Sequence, residues 1–127
     1  MLTAMHFARE DYRSERLIRA YEPGRITIGE RQLHNSLILT DDELIEDWRP
    51  RLAGELQRED FEPVLKLQPE ILLLGTGSRL DFPSPAVTAH LLQCGIGVEV
   101  MDTAAACRTF NILLSEQRRV AAALLLG

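Results

Sequence analysis

Two short strings hold the residue types that a small-molecule site would need. Gly75-Thr76-Gly77 follows one apolar run, and Met101-Asp102-Thr103 follows another. Glycines let backbone N–H groups approach a ligand closely, and the aspartate and threonines add polar groups. Arg108 and Asn111 follow on the next segment and could reach an anion or a polar group. A dinucleotide fingerprint, G-x-G-x-x-G, would need a third glycine where Leu80 stands. Residues 78–83 also separate the glycines from the next helix start, so a pyrophosphate would not meet that helix. The string reads as a tight turn or as the rim of a small-ligand crevice. No nicotinamide, flavin or other cofactor is expected.

The remaining reactive side chains form no catalytic constellation. Glu99 interrupts an apolar strand, where burial could raise its pKa for acid–base work; an arginine partner or partial exposure is the plainer expectation. His6, His34 and His90 are scattered singly, without metal-ligand spacing. Cys94 and Cys107 lack CxxC spacing and read as reduced, buried thiols of a cytosolic protein. Asp41, Asp42, Glu43, Glu46 and Asp47 surround Leu44, Ile45 and Trp48. That run is either a solvated capping segment or an acidic rim around a docking patch anchored by Trp48.

The elements that must position these residues are legible from pattern. Leu17–Tyr21 and Arg25–Ile28 flank Glu22-Pro23-Gly24, a hairpin signal. A third extended run follows at Ser36–Leu39. Thr40-Asp41-Asp42-Glu43 matches a capping box, but a turn into an extended Leu44–Trp48 fits equally well. Asp60–Leu67 predicts a short helix. Ile71-Leu72-Leu73-Leu74 is a continuous apolar run, the mark of a strand buried on both faces. Ser84-Pro85 starts a helix that Gly95 ends, and Ile96–Met101 is the next strand. The helix that follows is capped by Asp102 or Thr103 and turns Ala106, Cys107, Phe110, Leu113 and Leu114 inward. Propensity makes residues 118–126 helical; completing two successive βαβ units makes them a strand, the reading adopted here. Strand 71–75 would then lie between 96–101 and the tail, with a crevice at the strands' carboxyl ends.

The length suits one domain, 1–127, with residues 1–16 poorly ordered. A net charge of -5 argues against nucleic-acid or anionic-membrane binding. No apolar segment reaches the roughly 20 residues of a bilayer span, and charges near the start interrupt any secretory signal. A cytoplasmic location is expected.

LLLGTG, a phenylalanine-proline pair, GIGVEVMDTAAACRTFN, an arginine pair and a short apolar tail together resemble the Mth938-domain-like family. Its members include small bacterial and archaeal proteins of unknown function. The same domain occurs in an assembly factor of mitochondrial complex I (NADH dehydrogenase) and in an adipogenesis-associated animal protein. The likeness runs from about Arg25 to Leu126; Phe110 replaces the tyrosine of the family's RTYN string. It implies a three-layer α/β fold with a mixed central sheet: a parallel βαβαβ C-terminal half and an N-terminal antiparallel hairpin. It implies no reaction. The expected function is a noncatalytic binding or assembly-factor-like module with an unknown protein partner. The alternative is a small-molecule-binding protein or weak enzyme. Its candidate binding residues are Gly75, Thr76, Gly77, Asp102, Thr103, Arg108 and Asn111.

Overall fold

The computed structural model describes residues 17–127; the expectation for residues 1–16 lies outside that range. Strands β1 (Ile18–Glu22), β2 (Arg25–Ile28) and β3 (Arg31–Leu33) form a small antiparallel sheet. The hairpin predicted around Pro23-Gly24 is present, and Gly24 takes the positive φ that the turn requires. Pattern reading passed over β3. It pairs with β2 through an Ile28-Gly29-Glu30-Arg31 turn, but its Arg31 and Gln32 are exposed, so it lacks apolar alternation.

The second sheet runs in the order β5-β4-β8-β6-β7. Its members are β4 (Leu37–Leu39), β5 (Leu44–Ile45), β6 (Ile71–Thr76), β7 (Gly97–Met101) and β8 (Val120–Leu125). β6 lies parallel to β7 on one side and to β8 on the other, as the βαβαβ reading requires. β8 also pairs antiparallel with β4, which makes the sheet mixed. Between 40 and 48 the extended alternative wins. Thr40 Oγ1 accepts from the N–H groups of Glu43 and Asp42, and Thr40 N–H donates to Glu43 O at 2.8 Å. The box residues close a hairpin turn between β4 and β5 instead of starting a helix.

Helix α1 (Glu62–Leu67) continues a 3-10 turn at Arg58–Phe61. Helix α2 (Pro85–Gln93) begins with proline in its first turn as predicted, but no side chain caps it: Val87 N–H donates to the Ser84 backbone carbonyl. Gly95 takes positive φ just beyond it. Helix α3 (Thr103–Ser115) is capped by Asp102, whose carboxylate accepts from Ala105 N–H at 2.8 Å.

Both faces of the five-stranded sheet are covered, giving three layers. Period-two alternation sends Val120, Ala122 and Leu124 toward α3 and the small sheet. It sends Ala121, Ala123 and Leu125 toward α1, α2, Trp48 and Phe61. Burial on two faces and pairing on two edges override the helical propensity of the tail. Trp48 is buried, its indole edge-on to Phe61 with centroids 5.6 Å apart and its N–H donating to Asp60 O. A docking patch anchored by Trp48 is therefore excluded. Phe110 on α3 is fully buried. Phe110→Ala is expected to cost about 3–5 kcal/mol, measured by urea unfolding; a loss below about 1 kcal/mol would overturn this packing.

Candidate functional site

The carboxyl ends of the three parallel strands meet at Thr103. Its hydroxyl donates to Leu125 O at 2.5 Å and accepts from Gly77 N–H at 2.8 Å. Its own N–H donates to Gly77 O at 2.9 Å. Gly75 must be glycine, because a Cβ there would lie 2.9 Å from the Thr103 hydroxyl. Gly77 has φ +98, and a Cβ would lie 2.5 Å from Gly127 O. Thr76 Oγ1 donates to Arg79 O at 2.6 Å and accepts from Asp81 N–H at 3.1 Å, fixing the loop that follows β6. Gly75, Thr76, Gly77 and Thr103 are all buried. These rim residues come together as expected, but their polar groups hold one another. A binding role for them is a proposal that competes with those bonds.

Arg108 and Asn111 lie on the side of α3 that meets β1. Asn111 grips the backbone of Ile18 with both ends of its amide: Nδ2 donates to Ile18 O at 2.7 Å and Oδ1 accepts from Ile18 N–H at 3.0 Å. Arg108 is exposed. Both line a cleft of about 220 Å³ with Arg19, Tyr21 and Cys107. Arg19 and Tyr21 were not singled out from sequence, since they belong to a strand distant along the chain. Burial pushes the Tyr21 phenol upward, and nearby Cys107 and Asp102 add to the shift. Burial also pushes the Cys107 thiol up to about 12, against a partial pull from Arg108.

The other reactive groups stand apart. Glu99 is exposed on edge strand β7, which settles its choice between burial and solvent. Cys94 is exposed, contrary to expectation, because it caps the C-terminus of α2 at the surface; its sulfur lies 4.0 Å from His90 Nε2. His34 is exposed, and His6 lies outside the described residues. Among the described residues no three His, Cys, Asp or Glu side chains are grouped to hold a metal ion.

A family model described as protein of unknown function (DUF498/DUF598) matches residues 18–125. A Xenopus tropicalis relative, NADH dehydrogenase (ubiquinone) 1 alpha subcomplex assembly factor 3, is 52% identical over 56 residues, 44% of this chain and 31% of that protein. The chain thus spans less than a third of that relative's length. A Francisella tularensis relative named 13 kDa major membrane protein is 26% identical over 102 residues, 79% of this chain and 82% of its own. A solution structure from Xanthomonas campestris superimposes with TM-score 0.80 at 46% identity, covering 87% of this chain and 83% of the other. A Bordetella pertussis protein described as a Mth938-like domain gives TM-score 0.78 at 28% identity, covering 89% and 87%.

Thr103→Val would strand the buried Gly77 N–H and Leu125 carbonyl. Calorimetry should show a loss of about 2–6 kcal/mol, at about 1–3 kcal/mol for each of the two unsatisfied groups. Thr103→Ser keeps the hydroxyl and should lose clearly less; equal losses would show that the methyl contributes as much as the hydroxyl. For the thiols, one equivalent should react with an aromatic disulfide reagent at about pH 8 in the folded protein, and the second only after unfolding. The folded pKa of Cys107 exceeds its unfolded value. Its contribution is complete below the unfolded range of about 8.5 and is lost as pH rises from there toward 12. Equal reactivity of both thiols in the folded state would contradict this.

Proposed function

The chain belongs to the Mth938-like DUF498/DUF598 family, and we propose from this that it is a noncatalytic, assembly-factor-like module that acts by binding a protein. The observation that carries the reading is the similarity to complex I assembly factor 3 proteins. Shared fold does not fix function, so the partner proposed, an assembly intermediate of NADH dehydrogenase, rests on that likeness. Leu80 and Phe82 supply a physical means of contact. They are 53% and 68% exposed in the loop between β6 and α2, and aromatic anchors dominate the energetics of many protein interfaces. The same loop is held from beneath by Thr76, so its apolar side chains are presented on a fixed base.

A small-molecule site at the rim of Gly75–Gly77, Asp102 and Thr103 would have to displace Gly127 O from the Ser78 N–H that it accepts at 3.0 Å. It is therefore the second reading. A cytoplasmic location is part of the proposal. The relative named as a membrane protein makes cell fractionation a useful companion measurement.

Cells lacking this protein should accumulate partly assembled NADH dehydrogenase on native gels, and restoring it should clear those bands. A normal assembly profile in its absence would sink the proposal. Leu80→Asp with Phe82→Asp should fail to restore assembly. Surface substitutions of this kind change stability by only about 0.5 kcal/mol, so folding should persist by circular dichroism.

A further inference from the structure

Three features converge on the cleft between β1 and α3. The first is a bulge. Ile18 pairs with Ile28 but Ala20 pairs with Thr27, so β1 holds one extra residue at Arg19. Strand side chains alternate, and residues three apart would ordinarily face opposite ways. The bulge lets both Ile18 and Tyr21 pack against the α3 side of the core and leaves Arg19 exposed at the break. Bulges are over-represented next to sites, where they re-aim a side chain.

The second feature is an unexplained polar group. The Tyr21 hydroxyl is buried and has no hydrogen-bond partner among the described residues. Buried hydroxyls are seldom left so, because desolvation without a partner is unfavourable. The third is uncompensated charge. Arg19 and Arg108 are exposed, both line the cleft, and neither forms an ion pair among the described residues. Asn111 fixes the geometry: by holding both backbone groups of Ile18 it locks β1 onto α3, one residue from Arg19.

We propose that this cleft binds a small oxyanion of the phosphate-monoester class, held by the Arg19 and Arg108 guanidiniums with the Tyr21 hydroxyl as third donor. Two guanidiniums match a doubly charged anion and offer forked donors to its oxygens. The volume, about 220 Å³, suits a phosphate headgroup more than a dinucleotide. Asp102 lies within electrostatic reach of Tyr21 and Cys107, so the anion should sit toward the arginines. The inference does not depend on the assembly reading and is tested on the isolated protein.

Inorganic phosphate titrated into 15N-labelled protein should give saturable shifts at residues 18–21 and 104–111. Sodium chloride of equal ionic strength should not reproduce them. Arg19→Ala and Arg108→Ala should each weaken binding about tenfold or more. Arg108→Lys keeps the charge without the fork and should also weaken it. Tyr21→Phe is the discriminating variant: affinity should fall while thermal stability holds or rises, because the deleted hydroxyl has no partner among the described residues. Shifts that match the chloride control, or that survive in the Arg19→Ala/Arg108→Ala double variant, would overturn the site. Tighter binding of succinate than of phosphate would overturn the ligand class.

Discussion

The Thr103 hydroxyl is the constraint on which the carboxyl-end edge of the sheet depends. In an open α/β sheet, the crevice at the carboxyl ends of strands forms where successive connections leave in opposite directions. Here β6 is flanked by β7 and β8, so that point falls directly above β6. Thr103 opens the helix after β7, and its one oxygen bridges Gly77 beyond β6 and Leu125 in β8. Three strand ends are joined through one buried hydroxyl. A bond of this kind adds modest stability when made and costs more when broken, because its partners are buried. The two glycines follow from the same closure. Gly75 makes room for Thr103, and Gly77 supplies both the bonded N–H and the close approach to Gly127.

That closure moves the chemically open surface elsewhere. Among the described residues, the groups of the two candidate regions that lack partners are not at the switch point but along the seam between α3 and the small sheet. There a polar clamp, Asn111 on Ile18, borders the apolar packing, and the bulge in β1 interrupts the strand's alternation. The small sheet is attached to the domain through its buried Ile18, Ile26 and Ile28, through this clamp and through the Gly24 N–H, which donates to Leu126 O at 2.6 Å. Helix α3 thus serves two layers. Phe110 and Leu114 point into the core, and Arg108 and Asn111 meet the strand across the seam.

Much of the fold was legible because the strongest signals were local and consistent. Ile71–Leu74, the proline at the start of α2, Gly95 and the inward face of α3 all agreed with their tertiary setting. The tail was legible only through topology: alanine and leucine favour helix, and the strand follows from two covered faces and two paired edges. Short polar β3 carried no apolar period, and Thr40–Glu43 carried a capping pattern that a hairpin turn uses equally well. Cys94 was misread because typical burial of cysteine says nothing about a helix end at the surface. The candidate cleft was half legible. Arg108 and Asn111 drew notice as polar side chains that could reach an anion or a polar group. Arg19 and Tyr21 reach the same place only through long-range pairing and a bulge that no local pattern announces.

The residues that carry the family resemblance are largely those engaged in holding the fold. In LLLGTG, the leucines fill both cores and the glycines clear space for Thr103 and Gly127. In MDTAAACRTFN, Asp102 caps, Thr103 bridges, Ala106, Cys107 and Phe110 pack, and Asn111 clamps β1. Each position is constrained by geometry without any ligand. Such a motif therefore identifies a fold more sharply than an activity, and a relative can share it while differing at every exposed position. Arg108 is the exception within the string: it is exposed and has no ion-pair partner among the described residues. Arg108, Arg19 across the seam, and the exposed Leu80 and Phe82 are by contrast free to serve binding. Those side chains do not hold the fold, and selection on binding can act on them without disturbing it.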